Sequence, residues 1–179
     1  MEKVKVDYKK MYYGFPVILI SFYDEKGNPG ITPISSSYSL KDMVMLGFNS
    51  GGYAINQIKK TKDFVINIPS RSLEEQVVAA GSLSGADHNK LENVNLTLEQ
   101  AESVNAPIIK ECPIAIECTL SEVIESEQFA GITNVLAAVK DRWVAPDYID
   151  EQGLLVAGKY HPILNVSDGT KRTFRYIEG

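Results

Sequence analysis

Histidine is almost missing from this chain, which has only His88 and His161, and cysteine occurs twice, at Cys112 and Cys118. A structural zinc draws its four ligands from those side chains at short spacings, so no metal site is expected. The cysteines stand in "ECPIAIEC", at the approach to a strand and in its first residues. Along an extended strand that spacing holds them about 20 Å apart, too far to bridge. They are expected to be small packing residues in a reducing compartment.

Positive charge is also short. Eighteen Lys and Arg stand against 23 Asp and Glu, a formal net charge of −5. Neutralising phosphate backbones takes a clustered cationic surface, so no nucleic-acid partner is expected. Lys59, Lys60 and Lys62 form a small group that reads as a solvated helix face. No apolar run approaches the roughly 18 residues that span a bilayer, and no apolar stretch follows the N-terminal lysines as in a secretory signal. A cytoplasmic protein with no membrane partner is the expectation.

Familiar catalytic signatures are absent too. No G-x-G-x-x-G follows a strand and there is no Walker A lysine. "GSLSG" at Gly81 to Gly85 places Leu83 where a nucleophile elbow needs serine. His88 reads as a solvated or capping side chain on a turn, and no two carboxylates pair for acid–base work. Catalytic residues stay unassigned, and any chemistry falls to a bound cofactor.

What the chain does have is strands. Its 179 residues, 44% of them hydrophobic, suit one domain over 1–179, with a core of about 11–166 and a polar tail, 167–179. Pro16 to Tyr23 is apolar on both faces, as in a strand covered on both sides. Asp24 to Gly30 is a hairpin loop. Ile31 opens a returning strand that Pro33 confines to an edge or makes irregular. Further strands are expected over Asp42 to Asn49, Phe64 to Ile68, Pro113 to Glu125 and Phe129 to Lys140, with weaker ones over Gly153 to Gly158 and Tyr160 to Val166. Helices are expected from Ser50–Gly52 onward and over Leu73 to Ala80, the second with a Ser72–Glu75 capping box. A short one is expected over Ala86 to Leu91. Without a βαβ rhythm, the pattern favours a closed antiparallel barrel with helices at its margins.

One recess stands out. Ser35, Ser36, Ser37 and Tyr38 bring hydroxyls beside apolar strands, suiting the edge of a planar heterocycle. Ser50, Gly51 and Gly52 then lead from a strand into a helix, where free amides and the dipole suit a phosphate. In isolation a Ser-rich strand is more often a hydrated edge or an Asx/ST-type turn, and Gly-Gly before a helix is usually an ordinary turn. Together they point to a phosphorylated aromatic ligand such as FMN.

Four ordered segments carry a resemblance: "FPVILISFYDEKGNPGITPISSSYSL", "MVMLGFNSGGYAINQIKKTKDFVINIPS", "AGSLSGADHNKLENVNLT" and "APIIKECPIAIEC". In this order they resemble the flavin-reductase-like, flavoredoxin-type proteins, from about Met11 to Cys118 and more loosely to about Asn165. The resemblance implies a mainly β fold, an FMN-binding split β-barrel of Greek-key antiparallel type with a few marginal helices. It implies a homodimer with the cofactor groove where the subunits meet. Flavin contacts are implied for Pro33, Ser35, Ser36, Ser37 and Tyr38. Ribityl and phosphate contacts are implied for Phe48, Asn49, Ser50, Gly51, Gly52, Tyr53 and Asn56. The implied activity takes electrons from NAD(P)H, bound transiently, through FMN to a small-molecule or redox-protein acceptor. The alternative is a noncatalytic flavin-binding or electron-carrier protein of the same fold.

The chain departs from that pattern in two places. Where many relatives carry Arg or Lys and a Thr in the strand–helix turn, it has Gly51, Gly52 and Ala54, and Ala86 stands where an Arg is frequent. Ser50, Tyr53, Asn56, Lys59 or a residue of a second subunit are the candidates to replace the missing charge.

Overall fold

The computed structural model describes residues 1–82, 94–171 and 173–177. Its first apolar run divides in two. Pro16 ends β1 (Tyr12–Pro16) and β2 (Ile18–Tyr23) follows, while the Val17 amide between them donates to the Ile163 carbonyl. The turn before β3 (Pro29–Ile34) is tied by Asp24, whose carboxylate accepts from the Lys26 and Asn28 amides. β4 (Ser37–Leu40), β5 (Met43–Asn49), α1 (Tyr53–Thr61) and β6 (Asp63–Ile68) come next. After α2 (Glu74–Ser82) the chain forms a small hairpin, β7 (Leu98–Gln100) and β8 (Pro107–Ile109). The long strands β9 (Ile114–Glu125) and β10 (Ile132–Val144) and the short β11 (Ile163–Ser167) and β12 (Phe174–Tyr176) complete it.

Seven strands make one antiparallel sheet in the order β3-β2-β6-β9-β10-β5-β4. Its two edge strands, β3 and β4, are consecutive in the chain, and only Ser35 and Ser36 join them. The three steps from Ile34 to Ser37 reach about 11 Å at most, so opposite edges of the sheet must meet. The sheet therefore curls into a barrel with an unladdered corner, and Pro33 sits on an edge strand, as its missing donor requires.

Alternation between two covered faces explains why the run from Val17 to Phe22 is apolar but for Ser21. Ile18, Ile20 and Phe22 point into the barrel with Leu46, Phe64, Ile66 and Val135, and α1 closes one end with Ile55 and Ile58. Val17 and Leu19 point out into a second cluster under Leu73 and Val77 beside α2. Each such side chain, fully buried, contributes about 1.5–3 kcal/mol. Cys112 and Cys118 are free and buried, one in each cluster, as expected of packing residues. Burial holds both thiols un-ionised, with pKa values raised to about 12.

Several local expectations are corrected. Gly153 to Gly158 is not a strand. The Asp150 carboxylate collects the Gln152 and Leu154 amides into a turn, leaving only an isolated Ile149–Leu155 bridge. The Ser72–Glu75 capping box does not form either. A 3₁₀ turn over Arg71–Leu73 precedes α2, and Ser72 Oγ instead pairs with Ser70 Oγ at 2.8 Å. β10 starts at Ile132 rather than Phe129, because Glu127–Phe129 makes a 3₁₀ turn. The tail, given no structure from sequence, pairs β12 with β11 and stacks Tyr176 under the Arg71 guanidinium, 4.6 Å from the ring centre. The expected helix over Ala86 to Leu91, with His88, lies outside the described residues. Among the described residues, no helix is long and apolar enough to cross a membrane.

The outer face of β9 buries one carboxylate completely. Glu117 accepts from the Ser103 amide (2.6 Å), the Glu102 amide (3.2 Å) and Trp143 Nε1 (2.6 Å), pinning the loop before β8 to the sheet. Replacing Glu117 by Leu strands these donors, each worth about 1–3 kcal/mol when left unmet. Denaturant unfolding of Glu117→Leu should show a loss of about 3 kcal/mol; a change under about 0.5 kcal/mol contradicts this account.

Candidate functional site

The barrel's unladdered corner opens into a cleft of about 910 Å³. Strand alternation sets its floor. Val44, Leu46 and Phe48 of β5 are buried in the barrel, so Gly47 faces outward, and its register partner on β10, Asn134, does the same. The Gly47 amide donates to the Ser36 carbonyl at 2.8 Å. A Cβ at position 47 would stand 3.1 Å from Ser36 Cβ and 3.3 Å from Asn134 Oδ1. Glycine here lets Ser36 and Asn134 close tightly over β5 at the cleft, where a larger side chain would push them apart.

One end of the cleft is the start of α1, represented by Gly52, Tyr53, Ala54 and Ile55. Gly52 is the N-cap, with no side-chain cap and no acidic residue in the first turn. Among the described residues, the Tyr53, Ala54 and Ile55 amides have no acceptor. These are the orphan donors of a helix start, reinforced by the positive end of its dipole. A Cβ on Gly52 would meet the Asn49 carbonyl at 3.1 Å, so the glycine permits the close approach of that carbonyl at the strand–helix turn. Another wall comes from the small sheet in which β11 pairs with β1 and β12: Asn165 and Ser167 of β11 and Phe174 of β12. Asn165 is 9% exposed; its Nδ2 lies 3.5 Å from Ser35 Oγ, and its Oδ1 is buried without a partner among the described residues.

Of the residues singled out from sequence, Pro33, Ser35, Ser36, Phe48, Asn49, Gly52 and Tyr53 line this cleft. The other five do not. Ser37 pairs with Leu46 and turns the opposite way from Ser36; Tyr38 lies farther along β4 beside Met45, 58% exposed. Ser50 Oγ is hydrogen-bonded to Thr133 Oγ1 at 2.8 Å. Gly51 gives its amide to Asn49 Oδ1, and Asn56 is on the exposed side of α1.

Of the candidates to replace the missing cation, Ser50 and Lys59 are engaged elsewhere, Asn56 is exposed and does not line the cleft, and Tyr53 lines it. Lys59 pairs with Glu125, and Lys60 with Glu25. The Tyr53 hydroxyl donates to Asp24 Oδ2 at 3.0 Å; burial, then this carboxylate, raises its pKa. Among the described residues, the cations that line the cleft are Lys10 and Lys171. Together with Gly47, Asn134 and Asn165, sequence reasoning missed them, and no local motif marks any of the five. Among the described residues no group of three or more His, Cys, Asp and Glu is placed to hold a metal.

The arrangement thus joins free helix amides, a side-chain-free floor and a polar wall. Such a cleft suits a planar polar ring carrying a phosphate, and the amides at the start of α1 and the Asn165 Oδ1, unpartnered among the described residues, fit such a group.

Comparison with known proteins agrees with this chemistry. The family model for the flavin reductase like domain matches residues 11–164, and the chain belongs to that family. The Bacillus subtilis (strain 168) protein YdfE is 35% identical over 129 residues, which cover 64% of this chain and 62% of that protein. The match therefore spans less than two thirds of that relative. Flavoredoxin of Desulfovibrio vulgaris (Miyazaki F) superposes with a TM-score of 0.88 at 24% identity, covering 99% of this chain and 94% of that one. An FMN-binding domain of a flavin reductases-like enzyme from Shewanella baltica OS155 gives 0.75 at 18% identity, covering 92% and 87%. These structural likenesses establish the mainly β split-barrel fold.

Asp24 holds the Tyr53 wall in place, and its own ionisation is sharply shifted. Burial opposes the charge, but hydrogen bonds from the Asn28 side chain and amide, the Lys26 amide and Tyr53 outweigh it and lower the pKa to about 2. The unfolded carboxyl titrates near about 3.9. A lowered folded value means stability that is present above about pH 4 and lost as pH falls through about 2. The stability difference between wild type and Asp24→Asn, measured by urea unfolding, should be constant above about pH 5 and shrink toward pH 2. A difference that does not change across that range contradicts the assignment.

Proposed function

We propose that this member of the flavin reductase-like family binds FMN in the corner cleft and works as an NAD(P)H-dependent oxidoreductase. The observation that carries the reading is the single cleft joining the open N-terminus of α1 to the side-chain-free strip at Gly47. The amides of Tyr53, Ala54 and Ile55 would hold the phosphate at the helix start, beside Gly52. Ser35, Ser36 and Asn134 would present polar groups to the ring edge, while Ile34 and Phe174 supply apolar walls. Bound FMN supplies two-electron chemistry, accepting hydride from reduced nicotinamide and returning electrons to an acceptor. The chain's own part is to orient the ring, exclude water from one face and leave the other open. With no dinucleotide fingerprint in the sequence, the nicotinamide cofactor comes and goes as a co-substrate, in the cytoplasm. The acceptor is a small molecule or a redox protein.

The working form in this reading is a homodimer. The face that bears Gly47 and Asn134 continues along the same strands into Leu40, Met43, Met45 and Leu136, with Tyr38 beside Met45. Leu40 is 66% exposed. A second copy covering this apolar surface would also roof the cleft.

The phosphate assignment is tested by comparing FMN with riboflavin, which lacks the phosphate. Charge-assisted hydrogen bonds to the helix start should make FMN bind at least about 10-fold tighter, and Gly52→Val should remove most of that preference. Protein that takes up no FMN, and whose melting temperature FMN does not raise, overturns the reading. For the dimer, Leu40→Asp should halve the mass seen by analytical ultracentrifugation; a wild type already sedimenting as a monomer rules the dimer out.

A further inference from the structure

The side chain of Asn165 is the least settled polar group in the cleft wall. It lies on β11 between Phe15 and Phe174 of the neighbouring strands, and alternation aims it, with Ser167, toward the cleft. Its Nδ2 is taken up by Ser35 Oγ, while Oδ1 is buried with nothing to accept from among the described residues. A buried carbonyl oxygen without a donor destabilises the fold, and native structures keep few of them. On a residue that lines a ligand cleft, such an oxygen is a bond left for a ligand to complete once the side chain turns toward it.

The complement of this oxygen is an N–H donor, and the hydroxyl of Ser35 stands beside it as a donor for an adjacent carbonyl. An acceptor next to a donor matches an imide, in which one N–H lies between two carbonyls. On the oxidised isoalloxazine ring, N3–H is the only N–H and is flanked in this way. Resting on the flavin reading above, we propose that Asn165 is a specificity residue: its Oδ1 accepts the N3–H of the flavin while Ser35 donates to a flanking carbonyl. The pair sets which edge of the ring enters the corner and selects rings with a free imide over rings without one.

The test uses flavin-free protein titrated with FMN and with FMN methylated at N3, followed by quenching of flavin fluorescence. In the wild type, methylation should weaken binding about 10-fold, since it removes the bond and leaves Oδ1 stranded. Asn165→Leu, close in size, should bind FMN about 10-fold more weakly and no longer distinguish the two flavins. Its flavin-free melting temperature should be equal to or above that of the wild type, because an unmet polar group has been replaced by an apolar one. A merely structural asparagine would give the reverse, a lower melting temperature with discrimination intact. Should the leucine variant fail to fold, Asn165→Ala completes the same comparison. Equal affinity of the wild type for both flavins overturns the assignment, as does unchanged discrimination in the variant. Absence of any FMN binding to wild type instead overturns the flavin reading and this inference with it, so the two failures are distinguishable.

Discussion

Everything in this molecule depends on a short tether. Strands β3 and β4 form opposite edges of a seven-stranded sheet, and Ser35 and Ser36 are all that separates them in the chain. The tether cannot span a flat sheet, so curvature is imposed by connectivity as much as by twist. The Gly47 amide fastens the tether to β5 through the Ser36 carbonyl. Because the corner is tied at one point rather than laddered, the barrel stays open there, and the opening is the cleft.

The remaining elements fall into place around that corner. α1 buries Ala54, Ile55 and Ile58 against the barrel interior, and packing of this apolar face, more than intrinsic propensity, holds a nine-residue helix. Its start is thereby aimed at the opening, while its basic end pairs Lys59 and Lys60 with Glu125 and Glu25. The Asp24 turn fixes Tyr53, and the Ser50–Thr133 bond ties the strand–helix turn to β10. The amides of the first helical turn are therefore held by structure that needs no ligand. The small β1-β11-β12 sheet brings Asn165 and Ser167 to the cleft, and the turn between β11 and β12 brings Lys171, from positions more than 100 residues beyond Ser35 in the chain.

The sequence made the barrel strands legible where burial imposes a strong pattern. β2, β5, β6, β9 and β10 all announce themselves by apolar residues on one or both faces, and the Gly-Gly step before α1 marks a helix start. β1 and β12 mix glycine, charge and aromatic residues and become strands only by pairing with β11. Site residues followed the same division. Ser35, Ser36, Phe48, Asn49 and Gly52 lie within segments whose local shape is written in the chain. Ser37 and Tyr38 belong to the same hydroxyl-rich run, but a period of two and a strand's length carry them out of the cleft. Gly47, Asn134 and Asn165 become site residues through register across strands distant in sequence, which one sequence does not display.

The central claim is that one corner of the barrel binds the phosphate and ring of a flavin together. Backbone amide NMR of the isotope-labelled protein, titrated with FMN, tests it most directly. The account predicts that the largest shifts fall on Tyr53, Ala54 and Ile55 at the helix start and on Ser36 and Gly47 at the corner, with the opposite end of α1 nearly unchanged. Shifts centred elsewhere on the barrel, or none at saturating FMN, would contradict it.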